Sequence, residues 1–144
     1  MLHESSKLYK IFFMKFLKIE SSKLTPGIII DPGRCALEIF GFSLPENAIE
    51  FYLPVIDWLN DFKKEIINKP TEYKEFNVIF KLVYYNSSSL RQIVEIFNLL
   101  HDIYMMNFPI HITWQYDSED PQMAEAGKEM SEITKVPVNI MAYN

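Results

Sequence analysis

The sequence predicts an α/β protein: a single small domain with a mixed β-sheet, an N-terminal antiparallel hairpin and about three helices. Its 144 residues match the usual size of one domain. Apolar residues make up 49% of the chain and charged residues 23%, which is typical of a globular protein with a buried core. Strand and helix periodicities then alternate along the chain. Strand–helix–strand units in its second half favour parallel pairing with right-handed crossovers.

The first part of the domain is predicted to be strands only. Residues 16–24 look strand-like, and two apolar runs follow at 28–30 and 36–40. Asp31-Pro32-Gly33-Arg34 separates these runs. It has the chemistry of a turn, because proline presets φ and glycine allows a positive φ. We therefore predict an antiparallel hairpin around it.

The rest of the chain alternates helices and strands. A first helical stripe follows the 43–47 break and contains Pro54, which predicts a kink or the start of the main helix there. A second stripe covers 90–104, and a third helix starts after the cap signal at 117–121. Residues 76–85 are apolar at nearly every position and predict a central strand covered on both faces. Residues 110–116 alternate strictly, and 136–143 are predicted to be the last strand.

Composition excludes several classes of function. Fourteen basic against 19 acidic residues give a net charge of −5, which disfavours nucleic acid and anionic membrane as partners. A lone cysteine, Cys35, excludes an internal disulfide and a multi-cysteine metal site. The apolar start of the chain is broken by lysines and has no small-residue cleavage site, so we predict no signal peptide. Together these features predict a cytoplasmic protein, and Met14 could be its true start.

Catalytic, cofactor and metal sites are not predicted. The chain has no glycine-rich nucleotide motif and no G-x-S-x-G elbow. His3, His101 and His111 have no Cys or Glu at metal-ligand spacing, and Cys35 is expected to be a small strand residue. The carboxylates between Asp117 and Glu132 scatter around the third helix, which favours a solvated face or an acidic contact patch over a cation site.

The junction between the fourth strand and the second helix is the informative place. Ser89 and Gln92 form an S-x-x-Q capping box, which predicts Ser89 as the N-cap. Ser87 and Ser88 would then stand just outside the helix, in an exposed turn. A phosphate there would meet free backbone N–H groups and the positive end of the helix dipole, and Arg91 could pair with it. An ordinary serine-rich cap is the alternative explanation of these residues.

At this junction the sequence resembles the SiaC-type regulatory phosphoproteins. The resemblance covers about residues 14–144 and leaves 1–13 as an N-terminal extension. Four segments carry it: Thr25-Pro26-Gly27-Ile28-Ile29-Ile30-Asp31-Pro32, Gly41-Phe42-Ser43-Leu44-Pro45-Glu46-Asn47-Ala48, Phe51-Tyr52-Leu53-Pro54-Val55-Ile56-Asp57-Trp58-Leu59 and Tyr85-Asn86-Ser87-Ser88-Ser89. Together they are specific, although no single segment is.

The resemblance implies a non-catalytic switch with an anti-sigma-factor-antagonist-like (STAS-like) fold. It implies a Ser/Thr protein kinase, a PP2C-type phosphatase and a diguanylate cyclase as partners, in cyclic-di-GMP and biofilm signalling. The family's phosphorylated Thr falls on Ser87; Ser replaces Thr here, which leaves Ser88 as an alternative acceptor. The residues expected to contact partners, at one end of the sheet, are Ser43, Glu46, Asn47, Asn86, Ser88 and Arg91.

Two other function classes stay open at this point. One is a small-molecule-binding or general protein-interaction module without phosphoregulation, with a pocket closed over Trp58, Trp114 and several tyrosines. The other is a hydrolase that uses the Asp117–Glu132 carboxylates with a metal. The aromatic content, 15% of the residues, also leaves a homodimer open.

Overall fold

The structure, a computed structural model, describes residues 14–69 and 73–144. The strands in this part are β1 (Leu17–Ile19), β2 (Gly27–Asp31), β3 (Ala36–Ser43), β4 (Phe76–Tyr85), β5 (Ile110–Asp117) and β6 (Asn139–Tyr143). The helices are α1 (Ala48–Asn68), α2 (Ser87–Met105) and α3 (Pro121–Thr134). This element order is the predicted one. The N-terminal extension 1–13, with His3, lies outside the described residues. None of the described helices is long and apolar enough to cross a membrane.

The six strands form one sheet in which every strand lies beside its neighbour in the chain. β2 pairs antiparallel with both β1 and β3, while β3, β4, β5 and β6 are parallel. The mixed sheet with antiparallel N-terminal strands is therefore confirmed. Because the parallel strands share one direction, their carboxyl ends and the starts of the following helices meet at one edge of the sheet.

The helices pack side by side on one face of the sheet, α1 against α2 and α2 against α3. On β4 the core-facing residues, such as Phe80, are fully buried. The residues between them are half-buried, as Ile79 is, or exposed, as Lys81 and Val83 are. The prediction that this strand is covered on both faces is thus wrong for the described part of the chain. β-Branched residues such as Ile79 and Val83 are favourable in a strand whether they face the core or the solvent. The apolar run therefore does not show whether one face or both faces of the strand are covered.

α1 begins well before Pro54. The side chain of Asn47 caps the helix by accepting the Glu50 N–H at 3.1 Å, and the helix then continues through Pro54 to Asn68. The alternative that the main helix starts at Pro54 is therefore wrong, because Asn47 already satisfies the first turn. This early start places Tyr52 within the helix, where its ring is fully buried.

α3 packs closely on β5 because it carries a glycine. A Cβ at Gly127 would lie 2.5 Å from Cδ1 of Trp114. The Trp114 indole N–H donates to the carbonyl of Met123 at 2.9 Å, which fixes the ring under the helix. Asp120 caps α3 by accepting the Met123 N–H at 3.1 Å, as the cap signal predicted.

Candidate functional site

The end of β3 and the start of α2 meet at one edge of the sheet. The backbone N–H of Asn86 donates to the carbonyl of Ser43 at 3.1 Å, and Ser43 pairs in register with Tyr85. The loop 43–47 and the turn 86–91 are therefore neighbours, as the family resemblance led us to expect. We call these two segments together the serine edge.

The helix α2 begins at Ser87 and is capped by Asn86. The Asn86 Oδ1 accepts the Ser89 N–H at 2.9 Å and the Ser88 hydroxyl at 3.1 Å. The prediction that Ser89 is the N-cap is therefore wrong. Asparagine caps helices as well as serine does, and the Ser89 side chain is buried and bonded elsewhere. As a result, Ser87 and Ser88 are the first two residues of the helix and do not precede it.

A buried chain of hydroxyls joins β3, α1 and α2 beneath the serine edge. The Ser89 hydroxyl donates to the Ser43 carbonyl at 3.0 Å, and the Ser43 hydroxyl donates to Ser89 Oγ at 2.8 Å. Since the Ser43 proton is used in this way, the Tyr52 hydroxyl must be the donor across its 2.6 Å contact with Ser43 Oγ. All three side chains are fully buried. Burial raises the pKa of Tyr52 to about 12, although the Ser43 hydrogen bond lowers it, so the phenol keeps its proton.

Ser87 and Ser88 are both exposed, but their hydroxyls differ. The Ser88 hydroxyl is held by the capping Asn86, whereas the Ser87 hydroxyl makes no hydrogen bond within the described residues. Ser87 also stands at the first position of α2, where backbone N–H groups lack intrahelical partners. A negatively charged group on Ser87 would therefore sit at the positive end of the helix.

The other residues expected to contact partners occupy different environments. Glu46, Asn47 and Arg91 are exposed, and Asn86 is half-buried. Ser43, in contrast, has no exposed surface. Its side chain can reach a partner only if the hydroxyl chain opens, so in this structure Ser43 positions the loop.

Large apolar side chains are exposed on the segments that end or begin at this edge. Their exposed fractions range from 38% at Leu90 to 68% at Ile49. The remaining members of this apolar set are Leu24, Phe42, Leu53 and Tyr84. Leu24 belongs here because its carbonyl accepts the N–H of Leu44 at 2.7 Å. Exposed apolar side chains rimmed by polar groups are typical of protein–protein contact surfaces.

The tryptophans considered for a ligand pocket lie in the core. Trp58 stacks on Phe76 with 5.8 Å between ring centroids, and its indole N–H donates to the Lys15 carbonyl at 2.7 Å. Trp114 is 1% exposed and stacks on Phe80. Both rings are thus held by core partners, which counts against a pocket closed over them.

The remaining chemical candidates do not assemble into a site. Within residues 14–69 and 73–144, no group of three or more His, Cys, Asp or Glu side chains could hold a metal ion. Cys35 is a turn residue with φ of 51°, not the strand residue that was expected. Burial raises the pKa of its thiol, and the charges of Glu75 and Asp31 raise it further, so the unreactive protonated form is favoured.

Tyr52 and Ser89 also belong to the site, although their sequence patterns predict only an apolar position of a helical stripe and a helix cap. A tyrosine in such a stripe is itself a signal, because a buried phenol needs a hydrogen-bond partner and phenylalanine does not.

Comparison with known proteins gives consistent matches. The model of the family described as "SiaC family regulatory phosphoprotein" matches residues 19–143. The uncharacterized protein PA14_02130 of Pseudomonas aeruginosa strain UCBPP-PA14 is 30% identical over 131 residues, which cover 91% of this chain and 99% of that protein.

Solved structures of SiaC from Pseudomonas aeruginosa share the fold. One, of SiaC itself, is 28% identical with a TM-score of 0.75 and covers 90% of this chain and 99% of that chain. Another shows SiaC as the activator in complex with the diguanylate cyclase SiaD. It is 29% identical with a TM-score of 0.77, and the match covers 88% of this chain and 99% of that chain. The family is one of regulatory proteins and not of enzymes. Since the family match spans most of the sequence and the fold agrees over nearly all of it, the chain belongs to the SiaC family of regulatory phosphoproteins.

Proposed function

We propose that this chain is a cytoplasmic switch protein that binds and activates a diguanylate cyclase through the serine edge, and that phosphorylation of Ser87 weakens this binding. A Ser/Thr protein kinase adds the phosphate and a PP2C-type phosphatase removes it. The output is cyclic-di-GMP and, through it, biofilm formation. The activator role is supported by the SiaC–SiaD complex of Pseudomonas aeruginosa. The observation that carries the switch is the exposed Ser87 hydroxyl at the start of α2, which makes no hydrogen bond with the described residues.

Ser87 is a better phosphate acceptor than Ser88 in this geometry. A kinase must bring the acceptor oxygen in line with the transferred phosphoryl group. The Ser88 hydroxyl first has to break its hydrogen bond to Asn86, whereas the Ser87 hydroxyl has no hydrogen bond to break among residues 14–69 and 73–144. We therefore assign Ser87 as the acceptor and Ser88 as a neighbouring contact residue.

The phosphate is expected to act on the interface and to leave the fold intact. At the first helical position it complements the helix dipole, an effect worth ~0.3–1 kcal/mol at an exposed site. The buried Tyr52–Ser43–Ser89 chain lies beneath the surface and does not include Ser87. The phosphorylated protein should thus be at least as stable as the unmodified one.

The same phosphate is expected to weaken the binding of a partner that covers Ser87. The surface around Ser87 carries exposed apolar side chains, among them Leu90 on α2 and Tyr84 at the end of β4. A partner that covers this surface removes water from the Ser87 hydroxyl. Placing ~1.5–2 negative charges there carries a large desolvation penalty. A cost of ~3 kcal/mol weakens binding more than a hundredfold.

The test compares matched substitutions at the two serines. Titration calorimetry would measure binding of the full chain to a diguanylate cyclase of the same organism, alongside the activity of the cyclase. We expect Ser87→Asp to weaken binding and activation strongly and Ser87→Ala to leave both unchanged. Ser88→Asp and Ser88→Ala are the controls for charge and for loss of a hydroxyl at the adjacent position. Thermal unfolding of each variant checks the fold.

Three results would contradict the proposal. Equal affinity of Ser87→Asp and Ser87→Ala would remove the switch mechanism. Tandem mass spectrometry of protein from its native cells could find phosphate on Ser88 and never on Ser87. That result would assign Ser88, and not Ser87, as the phosphate acceptor. Absence of any binding to the cyclase would remove the activator role itself.

A further inference from the structure

The face of the sheet opposite the helices has no cover within the described residues. Its side chains alternate along each strand with those of the core, and they form a shallow groove of about 590 Å³. The groove is lined mainly by Ile29, Glu38, Phe40, Ile79, Lys81 and Tyr143. With Gln115 on β5 the groove spans β2 to β6, and none of its lining residues belongs to the loop 43–47 or the turn 86–91.

An open face on this sheet is unusual for its type. Parallel strands are nearly always covered on both faces, whereas antiparallel strands commonly leave one face to water. Here four parallel strands are open on one side. Their open side is also apolar in part, since Val83 and Met141 are each 45% exposed and Ile79 is only half-buried. An apolar sheet face of this kind marks a surface that binds another protein.

The charged side chains on this face indicate which protein binds to it. Glu38 on β3 pairs in register with Ile79, and Phe40 pairs with Lys81 on β4. Glu38 and Lys81 therefore lie on the same face of the sheet, on adjacent strands, while the Lys81 ammonium leans towards β6 and away from Glu38. No ion pair within the described residues includes either of them. Lys81 instead holds its Nζ 4.4 Å from the centre of the Tyr143 ring.

One acid and one base on the same flat face make that face complementary to itself across a two-fold axis placed midway between them. If two copies meet across a two-fold axis between these residues, Glu38 of each copy faces Lys81 of the other. Such an isologous contact satisfies both charges twice and covers the apolar residues around them. A different protein would need a separately matched pair of charges.

The size of the face fits a reversible contact. Six strands spaced ~4.8 Å apart, with ~3.3 Å per residue along each, give a face on the order of 600 Å². Stable interfaces bury roughly 800 Å² on each partner. From the uncovered parallel strands and the self-complementary charges we infer that this sheet face is a homodimer interface, with a second copy of this chain as its occupant.

The test uses charge reversal and mixing. Sedimentation equilibrium of the full wild-type chain, up to ~200 μM, should show a monomer–dimer equilibrium. Lys81→Glu and Glu38→Lys should each weaken dimerisation about tenfold or more, because each places like charges across the axis. An equimolar mixture of the two variants should restore dimers, since every facing pair is then acid against base. Lys128→Glu, an exposed change on α3, is the control for net charge.

Several outcomes would overturn this inference. A wild-type chain that stays monomeric over the whole concentration range excludes the dimer. So does dimerisation that Lys81→Glu and Glu38→Lys leave unchanged, or that mixing fails to restore although both variants unfold at the wild-type temperature. A monomeric wild type whose cyclase binding is lost in Lys81→Glu assigns the face to the cyclase instead. Substitutions at Ser87 test the proposed switch separately, so one proposal can fail without the other.

Discussion

Replacing Tyr52 with phenylalanine tests the buried hydroxyl chain with the smallest change the molecule offers. The substitution removes one oxygen and keeps the fully buried ring. Ser43 Oγ then loses the hydrogen bond that it accepts at 2.6 Å, while it still donates to Ser89. The perturbation is confined to the contact between α1 and the end of β3.

The expected cost follows from this count of hydrogen bonds. A buried hydrogen bond contributes about 0.5–1.5 kcal/mol net, and a buried acceptor left without its donor adds to the loss. We expect Tyr52→Phe to lower the free energy of unfolding by about 1–2 kcal/mol, a fall of about 3–8 °C in Tm. Ser89→Ala should lower the free energy of unfolding by more than Tyr52→Phe does. It deprives the buried Ser43 hydroxyl of its acceptor and removes a second bond to the Ser43 carbonyl.

Urea unfolding followed by circular dichroism measures these differences. Tyr104→Phe is the matched control, because Tyr104 is 39% exposed and its hydroxyl forms no hydrogen bond with the described residues. The expected order of destabilisation is Ser89→Ala, then Tyr52→Phe, then Tyr104→Phe. If Tyr52→Phe were no more destabilising than Tyr104→Phe, the hydroxyl chain would not support the serine edge and the proton directions assigned above would be wrong.

Three further results are expected. Gly127→Ala should lower the free energy of unfolding by about 1–3 kcal/mol despite alanine's better helix propensity, because the new methyl group meets the Trp114 ring; a higher Tm would contradict this. Asn86→Ala should lower the free energy of unfolding by about 1 kcal/mol through loss of the α2 cap, whereas Asn86→Asp should keep most of that stability. Equal urea midpoints for the two variants would contradict the capping role of Asn86. The raised pKa of Tyr52 predicts that its contribution to stability is complete below pH 10 and falls by about 2–3 kcal/mol towards pH 12, since the unfolded phenol loses its proton first. Unfolding in urea across this range should show a fall that is larger by this amount in the wild type than in Tyr52→Phe, in which the raised pKa of Tyr85 still lowers the stability.

The element order could be read from the sequence because its signals are local. Period-two and period-3.6 patterns, the turn at 31–34 and the cap at Asp120 each lie within a few residues of the element that they define. Parallel pairing followed from the strand–helix–strand order, for which right-handed crossovers leave few arrangements. The meeting of the 43–47 loop with the α2 turn was expected from the family resemblance and not from the pattern of the residues.

The details of the site could not be read in this way because they depend on distant partners. The choice between Asn86 and Ser89 as the α2 cap was decided by the bond between Ser89 and Ser43, two residues far apart in the sequence. The role of Tyr52 depends on the same contact. Likewise, the apolar run of β4 does not tell which of its faces meets a helix. The phosphate acceptor and the partner contacts remain predictions.

The chain-order sheet described above also bears on how the protein folds. Each strand pairs with the one made just before it, so the sheet can grow at one margin as synthesis proceeds, and no strand is inserted between two earlier ones. The residues of the hydroxyl chain all come from β3, α1 and α2. The contacts beneath the serine edge can therefore form while β5, α3 and β6 are still being made. The order of the strands thus allows the serine edge to assemble before the last two of the six strands.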